Sequence, residues 1–421
     1  MKVLVIGNGA REHALTWKIS QSPLVDKLYV TPGNAGTAGI AQNLNIAASD
    51  IVSIVNKAKK LHADLVVIGP EAPLAAGLAD QLQQAGIPVF GPSLSAARLE
   101  SSKAFSRELM QKYGIPCAAG ETFTDYTAAK SFLEKQTLPV VVKADGLAAG
   151  KGVTVASTME EAFNALQAIM ETKIFGKAGD SVIIEECLFG KEVSLLAFTD
   201  GKTVVPMIPA CDYKRVYDND RGPNTGGMGS YSPPGFFDYD MILKVTEAII
   251  KPTVYAMAAE GSPYKGVLYT GLIMTDAGPK VLEFNARFGD PETQVILPRL
   301  KTDLIEIMLS VVNEKLNSTQ IKWTNDACVG VVMASGGYPG DYITGFPIEV
   351  SSKLDKDINI FYAGAKKQDG GRIVTDGGRV LTVTTTGKTM KEARDKVYRN
   401  IQYIHFDGSH YRKDIAAREV I

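Results

Sequence analysis

Cysteine and histidine are scarce in this 421-residue sequence, four of each, and their placement already excludes several chemistries. Cys117, Cys187, Cys211 and Cys328 lie far apart with no C-x-x-C spacing, so neither a disulfide scaffold nor a structural zinc site is expected. The histidines form no H-E-x-x-H motif, and only His405 and His410 are near neighbours. An excess of either charge is missing too. Forty-five basic and forty-six acidic side chains leave a formal net charge of −1, which gives no support to wholesale nucleic-acid or membrane-surface binding. No stretch approaches the ~20 apolar residues of a membrane span, and the apolar run Val3–Ile6 is too short for a signal-peptide core. The expectation is a cytoplasmic protein acting on small molecules.

What is present is ample apolar material: 45% hydrophobic against 22% charged residues supports more than one core. Over the first ~100 residues short apolar runs alternate with amphipathic stretches. Strands are expected at Val3–Ile6, Lys27–Val30, Leu65–Ile68 and Val89–Phe90, with helices at Ala10–Gln21, Ile51–Leu61 and Leu74–Ala85. That alternation implies a parallel sheet with crossover helices. Its strands run into glycine turns, Gly7-Asn8-Gly9, Gly69-Pro70-Glu71 and Gly91-Pro92-Ser93, where such sheets bind ligands. A helix at Lys103–Tyr113, capped by Ser102, precedes a strand–turn–strand pattern at Pro139–Lys143 and Val153–Ala156. Further strands are expected at Ser181–Glu186, Glu192–Phe198, Lys202–Pro209, Gly266–Thr275 and Lys280–Phe284, and helices at Glu160–Thr172, Met241–Ala258 and Asp303–Asn313. Asp212–Pro234 reads as a long polar loop, and the chain from Asp326 as a small, separate β-rich domain.

Three segments carry chemistry. Asp145-Gly-Leu-Ala-Ala-Gly-Lys-Gly152 is not a Walker A loop, because three residues separate Gly146 from Gly150 and Gly152 follows Lys151. Successive glycine N–H groups with a lysine can still hold a phosphate, the alternative being a flexible hairpin turn. Gly7-Asn-Gly9-Ala-Arg11-Glu12 resembles a dinucleotide fingerprint but has Glu12 in place of the third glycine. A carboxylate there opposes a pyrophosphate, whereas a helix N-terminus with Arg11 suits a phosphate monoester. Arg11, Glu12 and His13 could instead be surface residues of the first helical turn, and for His13 alone this structural reading is preferred. In Val281-Leu-Glu-Phe-Asn-Ala-Arg287, a period of two puts Glu283, Asn285 and Arg287 on one face and Leu282, Phe284 and Ala286 on the other. Carboxylate and amide oxygens suit Mg²⁺ or Mn²⁺ shared with nucleotide phosphates, and Arg287 suits a transferring phosphoryl group; a solvated strand edge is the alternative.

Lys103, Lys143, the 145–152 loop, Glu185-Glu186 with Glu192, and the 283–287 strand follow one another in an order that resembles the ATP-grasp superfamily. Gly7–His13, Gly69–Leu74, Asn224-Thr-Gly-Gly-Met-Gly-Ser230 and Arg287-Phe-Gly-Asp-Pro-Glu-Thr-Gln294 narrow the resemblance to the phosphoribosylamine–glycine ligase family, end to end. The resemblance implies an α/β and α+β multidomain fold. It would comprise an N-terminal Rossmann-like domain (1–101), an ATP-grasp core (102–325, with a lid subdomain at about 120–190) and a β-rich C-terminal domain (326–421). It implies ATP and Mg²⁺ or Mn²⁺ as cofactors, glycine and 5-phosphoribosylamine as substrates, purine biosynthesis as the pathway, and a monomer. Lys103 and Lys143 would contact phosphates, with Gly146, Gly150, Lys151 and Gly152 closing as a lid. Glu185 and Leu188 would meet adenine through backbone groups, and Glu192 the ribose. Glu283 and Asn285 would ligate metal, and Arg287, Lys143 and Asp290 would serve catalysis. Gly9, Arg11, Glu12, Glu71, Asp212, Lys214, Gly229 and Arg287 would enclose the substrates. One departure is plain: Tyr269-Thr-Gly-Leu272 offers no second metal carboxylate on the preceding strand. Competing readings are a formyl- or carboxyl-transferring ATP-grasp enzyme, an NAD-dependent oxidoreductase, and a non-catalytic nucleotide-binding module.

Overall fold

The computed structural model describes residues 1–147 and 152–420. Five parallel strands form the first sheet, in the order Gln42–Asn43, Lys27–Pro32, Lys2–Gly7, Leu65–Ile68, Val89–Phe90. Val3, Leu4, Val5 and Ile6 are all 0% exposed, because helices cover both faces of a parallel sheet. The chain winds outward to one side of Lys2–Gly7 and then to the other. The turns at Gly7–Gly9 and Gly69 therefore open at the point where strand order reverses.

Two antiparallel sheets follow. The smaller runs Gly120–Phe123, Val182–Glu186, Val140–Ala144, Val153–Ala156, and packs helices Tyr126–Leu133 and Met159–Met170 into a core of its own. The larger runs Val204–Pro206, Lys191–Asp200, Lys265–Thr275, Gly278–Asn285. Residues 187–190 link the two sheets, and the helix Lys103–Lys112, its N-cap Ser102 accepting from Phe105 N, lies beside them.

Several expectations fail for identifiable reasons. Leu74–Ala85 is two helices, Glu71–Ala75 and Leu78–Gln84, parted by Gly77 at φ +81°. Met241–Ala258 is interrupted by a π-helical turn at Thr246–Ile250. The strand expected at Lys202–Pro209 is only Val204–Pro206. Asp212–Pro234 is not one loop: Arg215–Tyr217 and Arg221–Asn224 pair as a hairpin, and Gly229–Ser232 enters a sheet. That sheet is the main one of the β-rich C-terminal region. Its order is Cys211–Asp212, Gly229–Ser232, Ala327–Ala334, Arg379–Gly387, Asn359–Tyr362, so two strands come from the middle of the chain. Ala327–Ala334 is buried along its whole length and needs a partner on each edge. Among the described residues no helix is long and apolar enough to cross a membrane, and all four cysteines are free thiols.

Candidate active site

The Gly278–Asn285 strand carries the sharpest geometry. Glu283 pairs with Gly271 but Val281 pairs with Leu272, so Leu282 is an extra, bulged residue. The bulge re-aims the strand: Val281, Phe284 and Ala286 enter the core at 2%, 3% and 1% exposure, while Glu283 opens onto a cleft. The strict alternation expected from sequence breaks at this point. Leu282 is half-buried rather than a core partner of Phe284, and its carbonyl lies 3.5 Å from Lys143 Nζ. Glu283 is open to solvent within the cleft, yet the protein around it pushes its carboxyl up. Lys214, Lys103 and Lys143 outweigh that desolvation and hold it below the usual carboxylate range.

Lys103 begins its helix, and its Nζ donates to the Gly146 carbonyl at 2.8 Å. Burial lowers its pKa more than Glu283 restores it. Asp145 ties the glycine-rich turn to the same helix end, accepting from Ala104 N at 3.1 Å and Ser181 Oγ at 3.0 Å. Gly146 has φ +118°, and Gly152 O accepts from Ala144 N at 2.8 Å, while Gly150 and Lys151 lie outside the described residues. Glu185, expected to act through its backbone, has its side chain committed elsewhere. Its side chain is buried and grips Lys143 Nζ at 2.5 Å and Arg107 Nη1 at 2.9 Å, so its carboxylate serves as an internal counter-ion. Leu188 sits half-buried in the link between the two sheets, and Glu192 pairs with Lys214 at 2.7 Å.

Arg287 forms ion pairs with Glu71 Oε2 at 3.3 Å and Glu100 Oε1 at 3.1 Å, and its Nη2 donates to Asn285 Oδ1 at 3.1 Å. Burial pushes the Glu71 carboxyl up, but Arg287 and Arg11 hold it below its ordinary value. Glu100, which sequence reading missed, also accepts from Ala286 N at 2.7 Å, and burial dominates to raise its pKa. Asp290 is held by Gln294 Nε2 at 2.7 Å and by Arg379 Nη2 at 2.9 Å. Burial raises its carboxyl while Arg379 and Arg11 lower it further. Glu292, also missed, is 2% exposed and accepts from Tyr269 Oη at 2.9 Å and Ser194 Oγ at 3.0 Å.

At the first sheet's switch point Glu12 fills the glycine turn itself. A Cβ at Gly7, Gly9 or Gly69 would meet its side chain at 2.4, 2.8 or 2.2 Å, and its Oε2 accepts from Gly9 N at 2.7 Å. Glu12 is thus a buried cap for the turn, joined to Arg11 Nε at 2.6 Å. Arg11, Glu12 and His13 are buried at 6%, 2% and 7% exposure, not surface residues. His13 Nδ1 accepts from Tyr362 N at 2.9 Å, and burial lowers its pKa to about 4. Gly229 is likewise a packing position, since a Cβ there would meet Gly330 O and Ile415 at 2.8 Å. Asp212, beside Lys214, has a carboxyl raised to about 7, chiefly by burial and then by Glu292, Glu192 and Glu283 against the pull of Lys214. A cavity of about 270 Å³ lies between the switch-point turns and the C-terminal region, lined by Asn8, Gly33, Asn34, Gly364, Lys366 and Lys367 among others. Neither lysine was singled out in the sequence, because only the fold sets them opposite the N-terminal turns.

Residues 1–100, 101–293 and 328–418 match family models described as the N domain, the ATP-grasp (A) domain and the C domain of phosphoribosylglycinamide synthetase. The chain is 48% identical over 417 residues to a phosphoribosylamine–glycine ligase of Caldanaerobacter subterraneus subsp. tengcongensis, covering 99% of this chain and 100% of that one. The chain belongs to the phosphoribosylamine–glycine ligase family. It is also 51% identical over 424 residues to the trifunctional purine biosynthetic protein adenosine-3 of Gallus gallus, covering 100% of this chain and 42% of that larger protein. A crystal structure of a phosphoribosylamine–glycine ligase from Thermotoga maritima superposes with TM-score 0.87 at 34% identity, covering 99% and 100% of the two chains. The biotin carboxylase domain of a Hydrogenobacter thermophilus 2-oxoglutarate carboxylase, solved with MgADP, shares the fold at TM-score 0.75 and 16% identity over 97% of this chain and 91% of that one.

The two residues expected to bind metal can be judged by their chemistry. Among the described residues no group of three or more His, Cys, Asp or Glu side chains is arranged to hold a metal ion unaided. Glu283 offers a hard oxygen toward the lysines and Asn285 Oδ1 another that now accepts from Arg287 Nη2 at 3.1 Å, a partial set that would fit Mg²⁺ or Mn²⁺ only with phosphate oxygens completing the shell.

Proposed function

We propose that the chain joins glycine to 5-phosphoribosylamine at the expense of ATP, through glycyl phosphate, giving glycinamide ribonucleotide, ADP and phosphate in purine biosynthesis. The observation that carries the reading is the convergence of Lys103, Lys143 and Lys214 on Glu283, beside Arg287. Glycine's carboxylate is a poor acyl donor, since oxide cannot leave. One of its oxygens attacks the γ-phosphorus, the bond from that phosphorus to the β–γ bridging oxygen breaks, and ADP departs with the electron pair. The amine of phosphoribosylamine then attacks the acyl carbon, phosphate leaves, and the ammonium formed loses one proton. Lys103 and Lys143 neutralise the oxygens of the transferring phosphoryl group, and Arg287 stabilises the acyl phosphate. A divalent ion held by Glu283 and Asn285 would neutralise phosphate charge there.

The chain's remaining work is positioning. Gly146–Gly152 closes over the phosphates and excludes water, which would otherwise hydrolyse glycyl phosphate. Leu188 and the backbone at Glu185 face adenine, and Glu192 the ribose hydroxyls. Asp212 and Lys214 take glycine's two ends. The cavity beneath Asn8 and Asn34, with Lys366 and Lys367 on its far wall, suits the phosphoribosyl group of the acceptor. No side-chain nucleophile is needed. The test is ADP release with and without glycine and freshly generated phosphoribosylamine. Release requiring both supports the reading, and release driven equally by formate or bicarbonate in place of glycine overturns it.

A further inference from the structure

Arg379 begins a strand of the C-terminal region, yet its guanidinium reaches the reaction cleft. Nη2 lies 2.9 Å from Asp290 Oδ2 and Nη1 3.3 Å from Oδ1, a two-pronged grip on one carboxylate. The same Nη1 donates to the Gly226 carbonyl at 2.6 Å and approaches Gly227 O at 3.5 Å and Asp290 O at 3.4 Å. A Cβ on Gly226 would come within 2.9 Å of the guanidinium carbon, and one on Gly227, at φ +108°, within 2.4 Å of Pro291. The Gly226–Gly227 turn is therefore built to lie on Arg379 and on Asp290-Pro291. Tyr338 fastens it from the same region, its hydroxyl accepting from Gly226 N at 3.1 Å. The main chain of Arg379 faces the other way. Its carbonyl accepts from Gly364 N at 3.0 Å, and Gly364 lines the 270 Å³ cavity. One residue thus holds a wall of the cavity by its backbone and the Asp290 carboxylate by its side chain.

We propose that Arg379 is a positioning residue that aligns the acceptor amine with the acyl-transfer centre, acting through Asp290 and the Gly226–Gly227 turn. The inference rests on the reading above, in which phosphoribosylamine occupies the cavity. Attack on an acyl carbon requires reacting atoms about 3–3.5 Å apart, and a misplacement of about 1 Å can cost ~100-fold. With Arg379 removed, Asp290 keeps Gln294 as its side-chain donor at 2.7 Å and loses its link to the cavity wall. A lysine reaches one oxygen where the guanidinium fork reaches two, so it restores part of the alignment.

The experiment is steady-state kinetics on the full chain with ATP, glycine and phosphoribosylamine varied in turn, for wild type, Arg379→Ala and Arg379→Lys. Expected is a fall of about 100-fold in kcat/KM for phosphoribosylamine in Arg379→Ala, with KM for ATP within about twofold of wild type and partial recovery in Arg379→Lys. If Arg379→Ala does not fold, Arg379→Lys and Tyr338→Phe carry the test, each expected to weaken phosphoribosylamine selectively while ADP binding measured by calorimetry is retained. An unchanged phosphoribosylamine term, or equal losses for all three substrates, overturns the inference. A wild type without glycine- and phosphoribosylamine-dependent ADP release overturns the functional reading instead, so the two failures are distinct.

Discussion

Replacing Arg287 by methionine removes the cation that Glu100 and Glu71 share, and the consequence for stability can be worked from burial. The Arg287 side chain is 17% exposed, Glu100 8% and Glu71 35%. Breaking one partner of a buried pair costs about 3–5 kcal/mol, because the other charge is left uncompensated. Glu71 has water to turn to, so its share is below about 1 kcal/mol. Glu100 does not, and a loss of about 3 kcal/mol at pH 7.5 follows, seen as a fall of several degrees in the thermal midpoint. The pH dependence separates this cause from simple loss of packing. Burial already raises the Glu100 carboxyl, and removing Arg287 raises it further. A carboxyl whose folded pKa exceeds its unfolded value favours the folded state below the unfolded pKa, and that support is lost as pH rises through the folded one. The deficit of the variant is therefore largest at neutral pH and shrinks toward pH ~4.5, near the ordinary Glu value. Adding Glu100→Gln recovers most of the midpoint, since a neutral amide needs no counter-ion. Differential scanning fluorimetry across pH on the wild type, the single and the double variant measures all of this. A deficit equal at pH 5 and 7.5, or a double variant no more stable than the single, refutes the account of Glu100.

Glu283→Gln should lower turnover by about 10²–10³ while near-ultraviolet circular dichroism stays native, because it removes charge from an open cleft position; wild-type turnover would dissolve the proposed site. Deleting residues 148–151 should raise ATP hydrolysis relative to product formation, measured as phosphate released per glycinamide ribonucleotide, and unchanged coupling would contradict the lid role. His13, with its folded pKa near 4 against an ordinary 6.5, supports the fold fully above pH 6.5 and loses that support as pH falls toward 4. The loss is about 2 kcal/mol between pH 7 and 5. The midpoint of His13→Phe should therefore fall less than that of wild type over this interval, and parallel pH profiles would exclude His13 as the cause.

What was legible in the sequence was local and periodic. The glycine turns ending the first parallel strands, the Ser102 cap, and the Glu283, Asn285, Arg287 row all follow from two- or four-residue rules. What was hidden depends on partners far along the chain. Leu282 bulges because Gly271 sits opposite Glu283, a register that strand 278–285 cannot encode by itself. Glu185 was expected to meet adenine through its backbone, and nothing in its own segment announces what its side chain does. Its side chain turns inward because Arg107 and Lys143 approach from a helix and a neighbouring strand. Glu12 looked like a misplaced third glycine, and proved to be the group that makes Gly7, Gly9 and Gly69 necessary. Glu100 and Arg379 carry no motif of their own, and Glu292 lies within the Arg287–Gln294 motif but was given no role there. Arg379 reaches Asp290 across 89 residues of chain. The strands within Asp212–Pro234 are two to four residues long, and too short to register as periodic.

A common device runs through the cleft: three of the four cations proposed to face substrate are backed by a carboxylate, while Lys103 leans on the Gly146 carbonyl. Lys143 rests on Glu185, Arg287 on Glu100, and Lys214 on Glu192. Without such backing, three like charges in one cleft would repel one another and swing toward solvent. With it, they stand in place before a triphosphate arrives, and little reorganisation remains for the reaction to supply. The pairs are not equivalent. Glu185 and Glu100 are 10% and 8% exposed, so their grip is too costly to release. Glu192 and Lys214 are 51% and 35% exposed, and a pair that open is worth less than about 1 kcal/mol. Lys214 is thus the cation that can exchange its protein partner for a substrate carboxylate at little cost, whereas Lys143 and Arg287 keep theirs and act as fixed charge. The division matches the two kinds of work in the proposed reaction, which needs a fixed field for the phosphoryl group and an adaptable grip for a small amino acid.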